Sequence, residues 1–303
     1  MRIKSFLIVL FCSLGLLQAQ EKISSPKLYL NIIVDQLRTD FLYEFSDLYG
    51  EGGFKRLLAE GRVYPNSYYA FENVDRASAV AALATGTNPY VNGIVGERWF
   101  DRTTLRAVSS VEDKKYNGLY SISPYAPTRL KAITITDEMK RASRGKAFVC
   151  SIAPDEDAAI ISGGHDADVV LWKNNAAGYW SSSTYYGSYP RWAEKMNKLV
   201  HERSVKWKPL YDTDKYNNFG DKAPKPFSYS FDGKNKIKTY KTTACINDEV
   251  AEMALAFLEE ECVGNDDIAD CISLTFYAGN IDGLPMEHRP LEVQDIYRRV
   301  GIG

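Results

Sequence analysis

One carboxylate stands out by its setting. The run Leu28-Tyr29-Leu30-Asn31-Ile32-Ile33-Val34 is apolar and rich in β-branched residues, and it stops on Asp35. Such a run reads as a buried strand, and in an open α/β sheet the C-terminal strand ends form the edge where ligands and metal ions collect. Asp35 is therefore a candidate metal ligand. His165, in Gly163-Gly164-His165-Asp166, invites a metal reading of its own.

The elements that must position Asp35 can be read from periodicity and punctuation. Gly52-Gly53 followed by Phe54-Lys55-Arg56-Leu57-Leu58 reads as a turn entering a helix. Ala77 to Ala84 reads as a second helix, stopped by Thr85-Gly86. Further strands are expected at Ala147 to Ile152, Ala158 to Ile161 and Ile272 to Tyr277, with helices at Ile135 to Ala142 and Asp248 to Glu260. This alternation predicts an α/β fold with a mainly parallel sheet flanked by helices. Residues from about Trp172 to Lys241 are rich in Tyr, Trp, Ser, Asn and Lys, and read as an aromatic-rich insertion.

Val34-Asp35-Gln36, Gly52 to Leu58, Thr85-Gly86 and Asn92-Gly93-Ile94-Val95-Gly96 fall in an order and spacing that resembles the alkaline phosphatase superfamily. The nearest resemblance is to its phosphate-irrepressible and type I phosphodiesterase/nucleotide pyrophosphatase branch, from about residue 28 onward. It implies the alkaline-phosphatase-like fold and hydrolysis of phosphate esters by two zinc ions, a Thr or Ser nucleophile at a helix N-terminus, and donors that hold the phosphate oxygens. Metal ions in such a site lower the pKa of the nucleophile and offset charge on the transferring phosphoryl group.

Position by position, the resemblance weakens at the chemistry. Asp35 matches the first metal ligand of the family. The nucleophile lies nine residues before the Thr-Gly pair, which here is Arg76, a group that stays protonated and cannot attack. Ser78 is the nearest hydroxyl, but two residues further along a helix is a rotation of about 200°. Where relatives carry a phosphate-donating Asn, this chain has Glu97, and where the phosphomonoesterases carry a Lys and an Arg, counting back from Gly164-His165 reaches Asp155 and Asp157. The Gly-Gly-His-Asp context of His165 matches a family segment that is not a zinc ligand, so His165 is expected to be structural. The next Asp and His ligands fall on Asn280 and Leu284, and Leu284 cannot bind zinc. Asp282 and His288 lie nearby but read as ordinary loop residues. Relatives usually have a His where Asn92 stands.

Charge and composition narrow the setting. Met1 to Leu17 is a short basic start and an apolar run, ending in Gln18-Ala19-Gln20, which reads as a signal peptide cleaved near Ala19 and hence as export to the periplasm or beyond. Its removal takes away Arg2 and Lys4, bringing 37 basic residues to 35 against 39 acidic. That balance gives no reason to expect nucleic acid, and no later segment is apolar enough to span a membrane. Cys150, Cys245, Cys262 and Cys271 are even in number, so disulfides are possible in an oxidising compartment; four unpaired thiols are the alternative.

The expectation is an exported protein of the alkaline phosphatase fold whose catalytic set has been lost, with zinc absent or weakly bound and a binding or structural role. In that fold Arg76 should approach Asp35 and close the former metal site with an ion pair. The alternative is a metal-dependent phosphatase or phosphodiesterase acting through Ser78. A third possibility is a fragment of a longer protein, because relatives carry further ligands beyond the reach of this sequence.

Overall fold

The structure, a computed structural model, describes residues 26–202, 206–218, 225–233, 235–285, 287 and 290–301. The signal-peptide segment and His288 lie outside them. Strand β1 is Leu28–Asp35, followed by helices α1 (Thr39–Glu44), α2 (Gly53–Glu60) and α3 (Arg76–Thr85). The short strand β2 (Gly118–Leu119) precedes α4 (Ile135–Ala142), β3 (Val149–Ala153), α5 (Glu156–Gly163) and β4 (Val169–Lys173). The chain continues through β5 (Trp180–Ser183), α6 (Arg191–Glu202), α7 (Ala244–Glu260), β6 (Asp270–Tyr277) and α8 (Pro290–Val300).

These strands form a six-stranded sheet in the order β1-β6-β3-β4-β5-β2. The pairs β1/β6, β6/β3 and β3/β4 are parallel, whereas β5 and β2 run antiparallel at the far edge. Parallel central strands must be apolar on both faces because helices cover both. In β3, Cys150 and Ile152 enter one core while Val149 and Ala153 enter the other; in β4, Val169 and Leu171 alternate likewise with Val170 and Trp172. The first core also takes Met253 and Phe257 of α7 and Ile296 and Tyr297 of α8. The second takes Ala77, Val80 and Ala81 of α3 and Ala158 to Ile161 of α5.

The expected strand at Ala158 to Ile161 is therefore the interior of a helix. A four-residue apolar run is compatible with either element, and its flanks decide. Glu156 and Asp157 sit in the first turn, where the helix dipole favours acids, and Gly164 ends the helix with φ 77°. Strand β4 was not anticipated. The aromatic-rich stretch contributes to the main fold: Trp172 and Trp180 lie in sheet strands, and both are buried together with Trp207.

Strand β1 forms where its apolar run predicts but is not the buried strand expected: none of its residues is fully buried, because it lies at one edge of the sheet. Tyr29, Leu30 and Ile32 are exposed, and no strand pairs with the outer side of β1 among the described residues. The four cysteines Cys150, Cys245, Cys262 and Cys271 are all unpaired, Cys262 exposed and the others buried.

Candidate functional site

The site forms where the C-terminal ends of β1 and β3 meet the N-termini of α3 and α5. Helices α3 and α5 pack against each other, and Ala77, Ala81, Ala158 and Ala159 lie in the buried cluster the two helices share, small side chains of the kind that permit close packing. Their first turns are thereby brought side by side, placing Arg76 against Asp157.

Arg76 is the first residue of α3. The N-cap is Asp75, whose Oδ1 accepts from the Ser78 amide at 2.9 Å, while the Ser78 hydroxyl accepts from the Asp75 amide at 3.0 Å and donates to Asp75 Oδ1 at 2.8 Å. This reciprocal cap satisfies two backbone donors that a helix start leaves open. The other Asp75 oxygen accepts from the Glu97 amide at 2.6 Å and so ties the Glu97 loop to α3. Gly96 is needed at that junction, because a Cβ there would lie 2.9 Å from Asp75 Oδ2. At its other end α3 stops on Gly86 at φ 65°, as its Thr-Gly punctuation predicts.

Four carboxylates surround the Arg76 guanidinium. Asp157 binds it in a fork, with Nε to Oδ1 at 2.9 Å and Nη2 to Oδ2 at 3.2 Å. Nη2 lies 3.1 Å from Glu97 Oε1, and Nη1 lies 3.2 Å from Asp155 Oδ2 and 3.7 Å from Asp35 Oδ2. The expected approach of Arg76 to Asp35 is present, but it is the longest of the four contacts. The strongest is the bidentate pair with Asp157, a geometry that suits the planar guanidinium.

Ionisation follows from burial and from who neighbours whom. Burial raises the Asp35 carboxyl, and Asp155 adds to the rise against the pull of Arg76. Burial likewise pushes Asp157 up to about 7, with Asp155 contributing and Arg76 opposing. Glu97 is also raised, chiefly by burial. Asp155 is the exception: burial works to raise it, but Lys241 and Arg76 together hold it below the usual range. Burial disfavours the charge of Arg76, yet Asp157, Asp155 and Glu97 overcome this and hold it protonated.

Lys241 is the residue that sequence reasoning missed. It is buried, pairs with Asp155, and donates to Asn175 Oδ1 at 2.9 Å and to the Lys173 carbonyl at 3.3 Å. No motif marks it in a lysine-rich stretch, but charge balance could have signalled it: four acids converging on one arginine leave a deficit that a second cation reduces.

Asp35, Arg76, Glu97, Asp155 and Asp157 are thus brought together; Ser78, Asn280 and Leu284 are not part of the cluster. Ser78 is fully buried with its hydroxyl engaged in the helix cap. Asn280 turns its amide into its own loop, accepting from Ile281 N at 2.8 Å and donating to the carbonyls of Leu284 at 2.6 Å and Pro285 at 2.9 Å. Leu284 is partly exposed, and Asp282 sits exposed at φ 55°. Asn92 closes a turn by accepting from Ile94 N at 2.9 Å and donating to Thr87 O at 2.9 Å. His165 is held through both ring nitrogens, Nδ1 2.8 Å from Asp137 Oδ2 and Nε2 2.9 Å from the Leu130 carbonyl. Two acceptors on one ring favour its protonated form, and the hydrogen bond to Asp137 is the main reason its pKa rises.

The zinc ions implied by the resemblance do not fit these residues. A permanently charged guanidinium lies among the carboxylates at Asp35, and among the described residues no group of three or more His, Cys, Asp or Glu side chains is placed to hold a metal ion. A cleft of about 460 Å³ opens over the cluster, lined by Asp35, Tyr69, Arg76, Leu83 and Glu97.

The sheet, its order of elements and this strand-end site define an alkaline phosphatase fold, and the chain belongs to the type I phosphodiesterase / nucleotide pyrophosphatase family, matched over residues 29–277. It is 30% identical to the alkaline phosphatase PhoV of Synechococcus elongatus, covering 97% of this chain and 59% of PhoV. It is 27% identical to the alkaline phosphatase PafA of Elizabethkingia meningoseptica, covering 98% of this chain and 59% of PafA. The crystal structure of wild-type PafA matches the fold with a TM-score of 0.71 at 24% identity, over 93% of this chain and 58% of that one. The chain spans about three fifths of the length of the curated relatives it matches. No helix among the described residues is long and apolar enough to cross a membrane.

Proposed function

We propose that this chain keeps the alkaline phosphatase fold without its catalytic set, and that it serves a binding or structural role after export through the Met1–Ala19 segment. The observation that carries this reading is Arg76, at the place expected for the nucleophile, in contact with Asp35, Glu97, Asp155 and Asp157. Helix N-termini attract anions, and two of them converge here. In this chain Asp155 and Asp157 supply the negative charge from within, on the N-cap and in the first turn of α5. An incoming phosphate meets carboxylates where a hydrolase needs donors, and these repel it. Ser78 offers no replacement, since its hydroxyl is buried in the cap of α3.

The test pairs zinc titration of the purified protein by calorimetry with hydrolysis of p-nitrophenyl phosphate and bis-p-nitrophenyl phosphate in added zinc. The expected result is no stoichiometric zinc and no hydrolysis above background. Tight stoichiometric zinc binding, with hydrolysis that disappears in Ser78→Ala, overturns the reading in favour of a metal-dependent phosphatase or phosphodiesterase.

A further inference from the structure

Positive charge is concentrated away from the Asp35 cleft. Residues 98–131 hold seven basic residues against three acidic, in a chain whose formal net charge is -2. They form an antiparallel hairpin, Arg98–Asp101 with Arg106–Ser109, and the loops that follow it. The hairpin register sets Trp99 opposite Val108 and Asp101 opposite Arg106. Side chains alternate along a strand, so Trp99, Arg106 and Val108 share one face. Arg129 reaches that face from a later loop, with its guanidinium carbon 5.8 Å from the centre of the Trp99 ring.

A cleft of about 620 Å³ opens here, lined by Arg106, Val108, Lys114 and Arg129 together with two carboxylates, Glu112 and Asp113. None of the three cations lies within ion-pair distance of a carboxylate among the described residues. Asp113 is turned to its own loop, where it accepts from the Lys115 amide at 2.9 Å and from the Thr128 hydroxyl, and it acts on Arg129 only through its longer-range field. Like charges gathered on one wall repel, and a cleft focuses their field more than an open surface does. A bound anion relieves the repulsion.

We propose that this cleft binds a small organic ester through its phosphate or sulfate group, whose oxygens accept from the Arg106 and Arg129 guanidiniums and the Lys114 ammonium. A guanidinium presents a planar fork that matches two oxygens of such a group, and an ammonium adds a compact point charge. Three donor groups on separate segments suit a tetrahedral group with at least three free oxygens better than a planar carboxylate with two. The volume is mid-range for ligand pockets, roughly 300–1,000 Å³, which leaves room for an organic remainder against Val108. The site goes beyond the reading of a lost catalytic set and does not depend on it, since the cleft shares no lining residue with the one at Asp35.

The probes are phenyl phosphate and phenyl sulfate, with benzoate as the carboxylate of similar size. Each is titrated calorimetrically into the wild type, Arg106→Gln, Arg129→Gln and the distant surface control Arg62→Gln. EDTA is present throughout to exclude metal-dependent binding, at 0.15 M ionic strength, where attraction to scattered surface charges is largely screened. Circular dichroism confirms that each variant is folded; Arg106 is exposed, so its replacement should not disturb the core. Saturable binding of either ester, weakened about tenfold in Arg106→Gln and Arg129→Gln and within twofold of wild type in Arg62→Gln, supports the proposal, since one hydrogen bond between charged groups is worth about that factor. The tighter of the two esters then identifies the group. Absence of saturable binding of both, binding that folded Arg106→Gln leaves within twofold, or benzoate binding as tightly as the esters overturns it.

Discussion

Replacing Arg76 by Met keeps a long side chain but removes the charge and the N–H donors that hold Asp157, leaving Asp35, Glu97, Asp155 and Asp157 facing one another. Each contact at about 3 Å has a Coulomb energy of roughly 5 kcal/mol at an effective dielectric of 20, most of which desolvation offsets. Removing one partner of a buried ion pair typically costs about 3–5 kcal/mol. The Arg76 side chain is 21% exposed and Lys241 keeps its hold on Asp155, which places the expected loss near the lower figure, about 3 kcal/mol at pH 8. The pH dependence has a definite sign. Asp35, Glu97 and Asp157 already have raised pKa values, and loss of the guanidinium raises them further above their unfolded values. The folded variant then binds more protons than the unfolded chain, so its stability increases as pH falls, more steeply than that of the wild type. The gap between the two therefore narrows from pH 8 to pH 5. Urea unfolding followed by tryptophan fluorescence at pH 8, 6.5 and 5 measures it. A loss below about 1 kcal/mol at pH 8, the range of an exposed ion pair, or a loss constant across the three pH values, refutes the reasoning.

Ser78→Ala is expected to cost about 1 kcal/mol by removing the hydroxyl's half of the capping box with Asp75, and to leave hydrolysis of phosphate esters in added zinc unchanged. Urea melts and the same hydrolysis assay check both parts, and a fall in hydrolysis is the contrary result. For His165, the folded pKa is raised above 6.5, so its contribution is complete at pH values below 6.5 and is lost as pH rises through the folded value. His165→Gln should remove that descending step from the stability profile, and an unchanged profile would show that the contacts with Asp137 and Leu130 do not hold the charged ring.

The legible parts of the fold were those with long period or strong punctuation. The span of strand β1, helix α4 and the Thr85-Gly86 stop of α3 could be read directly from an apolar run ending on an acid, an amphipathic octet and a Thr-Gly pair, whereas the edge position of β1 could not, since its apolar run reads as a buried strand. Ala158 to Ile161 failed because a short apolar run buried on all sides looks alike as helix or strand. Strand β4 is equally apolar but was hidden by Trp172 and Lys173, which read as the start of an aromatic loop. At the site, the family resemblance carried by the motifs was enough to bring Asp35 and Arg76 together. The dominance of Asp157 over Asp35 as the partner of Arg76 depends on the close packing of α3 against α5, which no local pattern encodes. For Lys241 no local pattern marks the contact with Asp155 86 positions away in the sequence, and only the surplus of acids converging on Arg76 points to a second cation.

The two edges of the sheet are unequal, and this has a consequence for assembly. At one end the two-residue β2 leaves almost nothing to pair with, a common way of blunting an edge. At the other, the eight residues of β1 carry no charge between Lys27 and Asp35 and have no strand partner on their outer side among the described residues. Among the described residues the longer open edge is thus that of β1, and any strand that joins it would lie about 4.8 Å from the one that carries Asp35. A strand paired there would share the β1 backbone with Asp35, one of the four carboxylates around Arg76.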